Sequence, residues 1–299
     1  MRAFNAEPAG GLTAGGDKPF DGGADPLDDP SRRRGDGGQV DMERVLRRQR
    51  RLSLSYADAP GELALERTRV PDALARHLRT PVPSPCPYQG DPELVVAADP
   101  FGEAAEVFRE LRIQLAAKAL ERKTKVALAV VGPGRRDGKS YLAANLAASF
   151  GQLGGRTLLV DADLRSPRLH RLLGMEDLEG LSSILRGDGG HSLVQPVPQV
   201  PGLFFLPAGT VPPNPVELLQ SPRLSLLVFE MLLAFDHVVV DTPADACGPD
   251  ARLVAATAGA ALVVGRKDCS TMDDLRTLLA KLGQQQVEVA GMVMNQHRS

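Results

Sequence analysis

Apolar residues follow two rhythms along the chain. Nearly unbroken runs of Val, Leu, Ala and Phe fill residues 126–131, 157–161, 203–206, 237–241, 260–265 and 287–293. Strands buried on both faces read this way, as in a parallel sheet. Stretches with helical spacing separate them, for example Lys139 to Gln152 and Thr271 to Leu282. This alternation predicts an α/β fold, a parallel sheet flanked by helices and joined by right-handed crossovers. Upstream, Phe101 to Leu120 reads as one helix, with Val107, Leu111 and Leu115 on one face. Glu106, Arg109 and Arg112 lie on its flank at spacings of three, where local ion pairs are the simplest expectation.

The N-terminal third differs. Residues 1–40 are rich in Gly, Asp and Pro and nearly devoid of branched apolar side chains, so they are expected to be disordered. Residues 41–79 show two helical patterns and read as a small helical region. The first carries Arg44, Arg47, Arg48, Arg50 and Arg51, more simply a solvated face than an anion site. The second, from Gly61 through Leu74, resembles the small N-terminal domain of secretion and pilus-assembly ATPases. That domain type suits a docking role, or cyclic-dinucleotide binding as the less favoured alternative. Residues 80–100, with Pro81, Pro83, Pro85, Pro87, Pro92 and Pro100, read as a stiff linker to a domain spanning 101–299.

The chemistry gathers where the first strand ends. Val131-Gly132-Pro133-Gly134-Arg135-Arg136-Asp137-Gly138-Lys139-Ser140 joins a strand to a helix. Backbone N–H groups of such a loop turn toward an anion, and the helix N-terminus adds partial positive charge. Lys139 can reach β- and γ-phosphates, and the Ser140 hydroxyl can ligate Mg²⁺. The match to G-x-x-x-x-G-K-S/T is imperfect, because Pro133 stands where the first glycine belongs. Two further strands end in acids: Leu158-Leu159-Val160-Asp161-Ala162-Asp163, and Val238-Val239-Val240-Asp241-Thr242-Pro243. A parallel sheet places these acids on the same edge as Lys139. One or two carboxylates plus phosphate oxygens suffice for Mg²⁺, and another carboxylate can take a proton from a hydroxyl nucleophile. A strand-end Asp on its own would more often be a helix cap.

Composition narrows the partners. With 35 basic and 37 acidic residues the net charge is −2, which offers no general attraction to nucleic acid. Aromatics are 4% and Trp is absent, so base-stacking platforms are not expected. Cys86, Cys247 and Cys269 are scattered, which suits a reducing compartment.

Taken in order, these motifs resemble the cytoplasmic domain of bacterial protein-tyrosine kinases (BY-kinases), in particular the chain-length-determinant kinases of exopolysaccharide loci. The family pairs an irregular Walker A with an apolar D-x-D-x-R, matched by Leu158 to Arg165, and an apolar D-x-P, matched by Val238 to Pro243. Gly180-Leu181-Ser182, Leu206-Pro207-Ala208-Gly209, Pro212 to Leu219 and Gly291 to Asn295 also correspond. The resemblance covers roughly residues 98–295. It implies an ATP- and Mg²⁺-dependent tyrosine kinase with catalytic Lys139, Asp161 and Asp163. Nucleotide contacts would come from Gly134, Asp137, Gly138, Lys139, Ser140, Tyr141, Arg266 and Asn295, the last two on the adenine side. Metal contacts would come from Ser140, Asp161 and Asp241. It recasts Glu106, Arg109 and Arg112 as an E-x-x-R-x-x-R self-association motif. It also implies a protein substrate and a membrane-embedded polysaccharide co-polymerase as activator, which would hold a cytoplasmic protein at the inner membrane.

Three departures are visible. The family's C-terminal tyrosine cluster is missing, leaving Tyr56, Tyr88 and Tyr141, of which Tyr88 in the proline-rich stretch is the expected acceptor. The phosphate loop is two residues longer than the compact form. No stretch of the sequence reads as a membrane span, so the activator is expected to be a separate chain. An ATP-binding regulatory module or a positioning ATPase of the same superfamily, with little or no kinase activity, is the alternative. Positioning ATPases carry a lysine five residues before the loop lysine, and Gly134 holds that position here.

Overall fold

The computed structural model describes residues 90–122, 125, 127–175, 179–188 and 193–296. The expected disordered segment, the helical region 41–79, most of the Pro-rich stretch, Tyr56 and Tyr88 lie outside these residues. Elements follow in the order α1 (Val95–Ala98), α2 (Glu103–Arg122), β1 (Ala127–Val131), α3 (Lys139–Gly151), β2 (Thr157–Asp161), α4 (Leu169–Leu172), α5 (Leu181–Arg186) and β3 (Gln195–Pro196). Then come β4 (Leu203–Leu206), α6 (Pro215–Leu219), α7 (Pro222–Ala234), β5 (His237–Asp241), a 3₁₀ turn (Asp245–Cys247), α8 (Asp250–Ala258), β6 (Gly259–Arg266), α9 (Met272–Gln284) and β7 (Glu288–Asn295).

Seven strands form one sheet in the order β3-β4-β2-β5-β1-β6-β7. All pairs are parallel except β3 with β4. The two-residue β3 had no apolar run to announce it. The other six strands fall on the six predicted runs.

Strand alternation divides the core into two layers. Ala129, Val131, Leu158, Val160, Val238, Val240 and Val263 face α7, α8 and α9, which contribute Val228, Val254 and Leu278 among others. Val130, Leu159, Val239, Leu262 and Val264 face the opposite layer, built on α3. Nearly every residue of α3 is buried, because the sheet covers one side and α2 the other. Ala143, Ala144, Ala147 and Ala148 are small enough to permit that double packing. Among the described residues, no helix is long and apolar enough to cross a membrane.

Two expectations need correction. Within the stretch read as linker, the described residues 90–100 are already part of the packed domain, since Leu94 and Val96 are fully buried against α3. Asn145 anchors it: its Oδ1 accepts from Val96 N–H at 3.1 Å, and its Nδ2 donates to the Glu93 carbonyl at 2.9 Å. The buried face of α2 is also rotated from the predicted one. Ala105, Phe108 and Leu115 point inward with Leu111 half-buried, whereas Val107 is 67% exposed. Phe108 supplies the large apolar surface that the α3 ridge requires.

The acid-arginine triplet on α2 makes contacts within the chain. Glu106 pairs with Arg109 at 2.5 Å, and Arg109 also donates to the Pro100 carbonyl. Arg112 donates to the Ser149 carbonyl at 2.6 Å, near the C-terminus of α3, where a cation also meets the negative end of the helix dipole. Arg112 therefore ties α2 to α3, so alanine at 112 is expected to lower stability, by about 1–2 kcal/mol for a charged hydrogen bond of this kind.

Two of the sequence motifs prove to be halves of one junction. Leu181 N–H donates to the Pro207 carbonyl at 2.8 Å, Ser182 N–H to the Ala208 carbonyl at 2.9 Å, and Ser182 Oγ to the Thr210 carbonyl at 2.8 Å. The approach is so close that a Cβ on Gly180 would strike the Pro207 carbonyl and lie 2.7 Å from Gly209 N. Gly180→Ala is expected to destabilise the domain by about 1–3 kcal/mol, as overpacking against backbone does. A lowered urea midpoint at unchanged slope is the expected readout, and an unchanged midpoint would mean that the junction is loose.

Candidate nucleotide site

The phosphate loop runs from Gly132 to Gly138 and delivers Lys139 as the first residue of α3. Positive φ falls at Arg136 (61°) and Gly138 (96°), and not at Pro133, so the loop does not need glycine there. Gly138 cannot be replaced as easily. Its φ is left-handed, and a Cβ would strike the Asn295 side-chain amide at the end of β7.

Asp137 is almost fully buried and holds the loop closed from within. Its Oδ2 accepts from Gly134 N–H at 2.6 Å, and its Oδ1 accepts from Ser270 Oγ at 3.1 Å. Asn295 Nδ2 donates to the Asp137 carbonyl at 3.1 Å. The loop's back rests on the 3₁₀ turn, where Asp245 and Ala246 N–H donate to the Gly132 and Pro133 carbonyls at 3.0 Å. Asp245 is itself held by Arg252 at 2.7 Å and Lys281 at 2.8 Å. Lys139 is buried, and its Nζ donates to the Gly134 carbonyl at 2.8 Å.

The strand-end acids meet beside this loop. Asp161 and Asp241 are register partners on adjacent strands β2 and β5, and both are buried. Asp161 Oδ1 accepts from Asp163 N–H at 3.0 Å, and its Oδ2 from Leu169 N–H at 3.3 Å. Burial holds the Asp161 carboxyl well above the usual carboxylate range, and the nearby Asp241 pushes it further. Burial also raises Asp241, to about 7, although the Ser140 hydroxyl and the Lys139 cation pull it down. Asp163 is half-buried, and its Oδ1 accepts from Arg165 and Ser166 N–H at 3.1 and 2.9 Å.

Asp241 Oδ2 is buried with no hydrogen-bond partner. Buried polar atoms seldom stay unpaired, and the carboxyl this one belongs to interacts with Ser140, Lys139 and the Asp163 carboxylate. That donor set fits a hard divalent cation. Among the described residues, no three His, Cys, Asp or Glu side chains could cage a metal alone, so phosphate oxygens would have to complete the shell.

A cavity of about 760 Å³ opens above these groups. Gly138, Lys139, Ser140, Tyr141, Asp163, Arg266 and Asn295 line it together. Gly134 and Asp137 lie in the loop rather than on the cavity wall, and Asp161 and Asp241 are buried at strand ends. Arg266 lies at the end of β6, its Nη1 donating to the Arg136 carbonyl at 3.4 Å. The Tyr141 ring packs edge-on against Phe108, 5.7 Å between centroids, and its hydroxyl pKa is raised by burial and by Glu93.

Several contacts that matter here gave no signal in the sequence. Thr242 Oγ1 donates to the Val130 carbonyl at 2.7 Å and locks β5 to β1 under the loop. Arg165 forks onto the buried Asp250, with both bonds at 3.1 Å. Arg135 Nε lies 3.2 Å from Cys247 Sγ. Each of these contacts joins residues far apart in sequence, which spacing cannot reveal.

Fold and loop together define a P-loop nucleotide-binding domain. The family model for the CobQ/CobB/MinD/ParA nucleotide-binding domain matches residues 128–299. The tyrosine-protein kinase wzc of Salmonella typhimurium is 34% identical over 203 residues, 68% of this chain but only 28% of that protein. The tyrosine-protein kinase YwqD of Bacillus subtilis is 33% identical over 172 residues, 57% of this chain and 72% of that protein. The solved kinase domain of the Escherichia coli tyrosine kinase ETK superposes with a TM-score of 0.66 at 30% identity, covering 73% of this chain and 84% of that one. The chain belongs to the CobQ/CobB/MinD/ParA nucleotide-binding family, on its bacterial tyrosine-kinase branch.

The raised Asp241 pKa has a signed consequence. Its folded-state value lies above the unfolded one, so without a cation this group costs stability as pH rises from the ordinary carboxylate range to about 7. A divalent cation needs the ionised form, so nucleotide-dependent Mg²⁺ affinity is expected to fall about tenfold per pH unit below that value. Calorimetric titration between pH 5.5 and 8 measures this, and a flat profile would remove Asp241 from the metal site.

Proposed function

We propose that this chain is an ATP-dependent protein-tyrosine kinase that transfers the γ-phosphoryl group to tyrosine hydroxyls and acts in exopolysaccharide chain-length control. The unpaired Asp241 Oδ2 beside Ser140 and Lys139 carries the reading, because it fits a cation bound together with a nucleoside triphosphate. Similarity to tyrosine kinases supports the kinase chemistry. Mg²⁺, held by Ser140, Asp241 and the environment of Asp161, would neutralise charge on the phosphates when bound.

Lys139 would leave the Gly134 carbonyl for phosphate oxygens, and the α3 N-terminus would add N–H donors. Asp163 is the better candidate base. It lines the cavity, whereas both Asp161 oxygens already accept backbone N–H groups in a buried setting. Asp163 would take the tyrosine proton as the phenolic oxygen forms its bond to phosphorus and ADP leaves. Arg266 and Asn295 lie at the β6 and β7 ends, a setting that favours adenine contact at that edge.

Control of chain length would require a membrane-embedded polysaccharide co-polymerase as activator, a partner that the family resemblance supports. Self-association would use Glu106, whose side chain is 71% exposed, with Arg109. Arg112 would serve chiefly within the chain.

Lys139→Met is expected to abolish both ATP binding and tyrosine phosphorylation. Asp163→Asn is expected to keep nucleotide affinity within about threefold while lowering transfer about a hundredfold, the scale of a lost general base. Calorimetry and anti-phosphotyrosine detection with a purified activator segment measure both. Full transfer by Asp163→Asn would assign the base elsewhere, and ATP binding by Lys139→Met would remove the loop from the site.

A further inference from the structure

The order of strands fixes the order of chemistry across the cavity. Asn295 and Arg266 end β7 and β6, Lys139 and Ser140 follow β1, and Thr242 follows β5. A nucleotide with its phosphates on the loop and its base toward β6 and β7 occupies that span. The cavity continues past β5 to the loop after β2, where Asp163, Arg168 and Arg171 line it.

Arg168 and Arg171 share an uncommitted side chain with Arg136 of the phosphate loop, but of the three they alone stand at the β2 end of the cavity. Both are exposed, and among the described residues neither makes a hydrogen bond or ion pair through its side chain. Arg165, by contrast, is committed to Asp250. Arg168 precedes the single turn of α4 as its N-cap, and Arg171 lies within it, three residues on. Leu169 and Leu172 pin that turn into the core. Leu169 N–H donates to Asp161 Oδ2, and Arg171 N–H to the Arg168 carbonyl at 3.1 Å. The backbone that carries the cationic pair is thus fixed relative to the strand-end carboxylates, and its guanidinium groups are uncommitted.

Resting on the kinase reading above, we propose that the β2 end of the cavity receives the acceptor segment, and that Arg168 and Arg171 select tyrosines flanked by acidic residues. Guanidinium forks match carboxylates in geometry, and a neighbouring acid would engage them while the phenol reaches Asp163. Asp91 and Glu93 also line the cavity, so basic residues have their own place in it and the selection by the arginine pair is local.

The test uses the whole chain, Mg²⁺, and two peptides of equal length, one with Glu and one with Lys around a single tyrosine. The wild type is expected to phosphorylate the Glu peptide with kcat/KM at least about tenfold higher, the scale of two charge contacts and their reversal. Arg168→Glu with Arg171→Glu is expected to abolish or invert that preference through KM, leaving nucleotide affinity unchanged. Equal preference in both proteins, or a loss of nucleotide affinity in place of the change in preference, overturns the proposal. Binding of the Glu peptide with Phe replacing Tyr, measured with a non-hydrolysable ATP analogue, separates the two readings. Peptide binding that is lost in the double variant, without transfer to any peptide, keeps the acidic-segment site and ends the kinase reading. Transfer without acidic preference keeps the kinase and ends the site. Neither transfer nor binding ends both.

Discussion

Two carboxylates at the ends of neighbouring parallel strands, buried in register with each other, set the terms for the rest of this site. Asp161 and Asp241 cannot both ionise comfortably in the same dry volume. Burial pushes both toward the protonated form; Asp241 pushes Asp161 further, and Asp163 does the same to Asp241. The nearby groups that favour ionisation are the Lys139 cation, the Ser140 hydroxyl and a few backbone N–H groups. One oxygen still has no partner. A bound cation would resolve this arrangement in a way that no rearrangement of the apolar core could.

Such a cluster persists only if its surroundings overdetermine it. The phosphate loop is braced by the Asp137 carboxylate inside, by the 3₁₀ turn behind and by Asn295 from the far strand. Thr242 fixes β5 against β1, and Arg165 with Asp250 fixes the loop after β2. Buried Asp245, held by two cations, anchors the turn that supports the loop. These polar contacts sit on a sheet whose two faces are filled by separate apolar layers. The layers supply stability, and the polar braces supply position.

Much of this was legible in the sequence, for a physical reason. Parallel strands buried on both faces must be apolar throughout, so six runs announced six strands, and each acid that ended a run stood at the sheet's functional edge. The placement of Lys139 and Ser140 at the start of α3 was legible because a strand-loop-helix order puts them there. What escaped depended on tertiary partners. Asn145 reads as one polar residue in an Ala-rich helix, yet it anchors the segment before α2 that had read as linker. Val107 fits the helical spacing as well as Phe108 does, and only the shape of α3 decides between them. Arg112 sits in a motif that points outward, but its guanidinium reaches the end of α3.

The most direct measurement is the stability of Asp241→Asn against wild type at pH 8, with and without Mg²⁺ and ATP. If the paired carboxylates are a cation site, removing one charge relieves the metal-free protein. The variant should then match or exceed wild-type stability without ligand and gain little from Mg²⁺ and ATP, while wild type gains several degrees. A variant that is less stable without ligand yet gains as much from Mg²⁺ as wild type would show that Asp241 is only a structural cap.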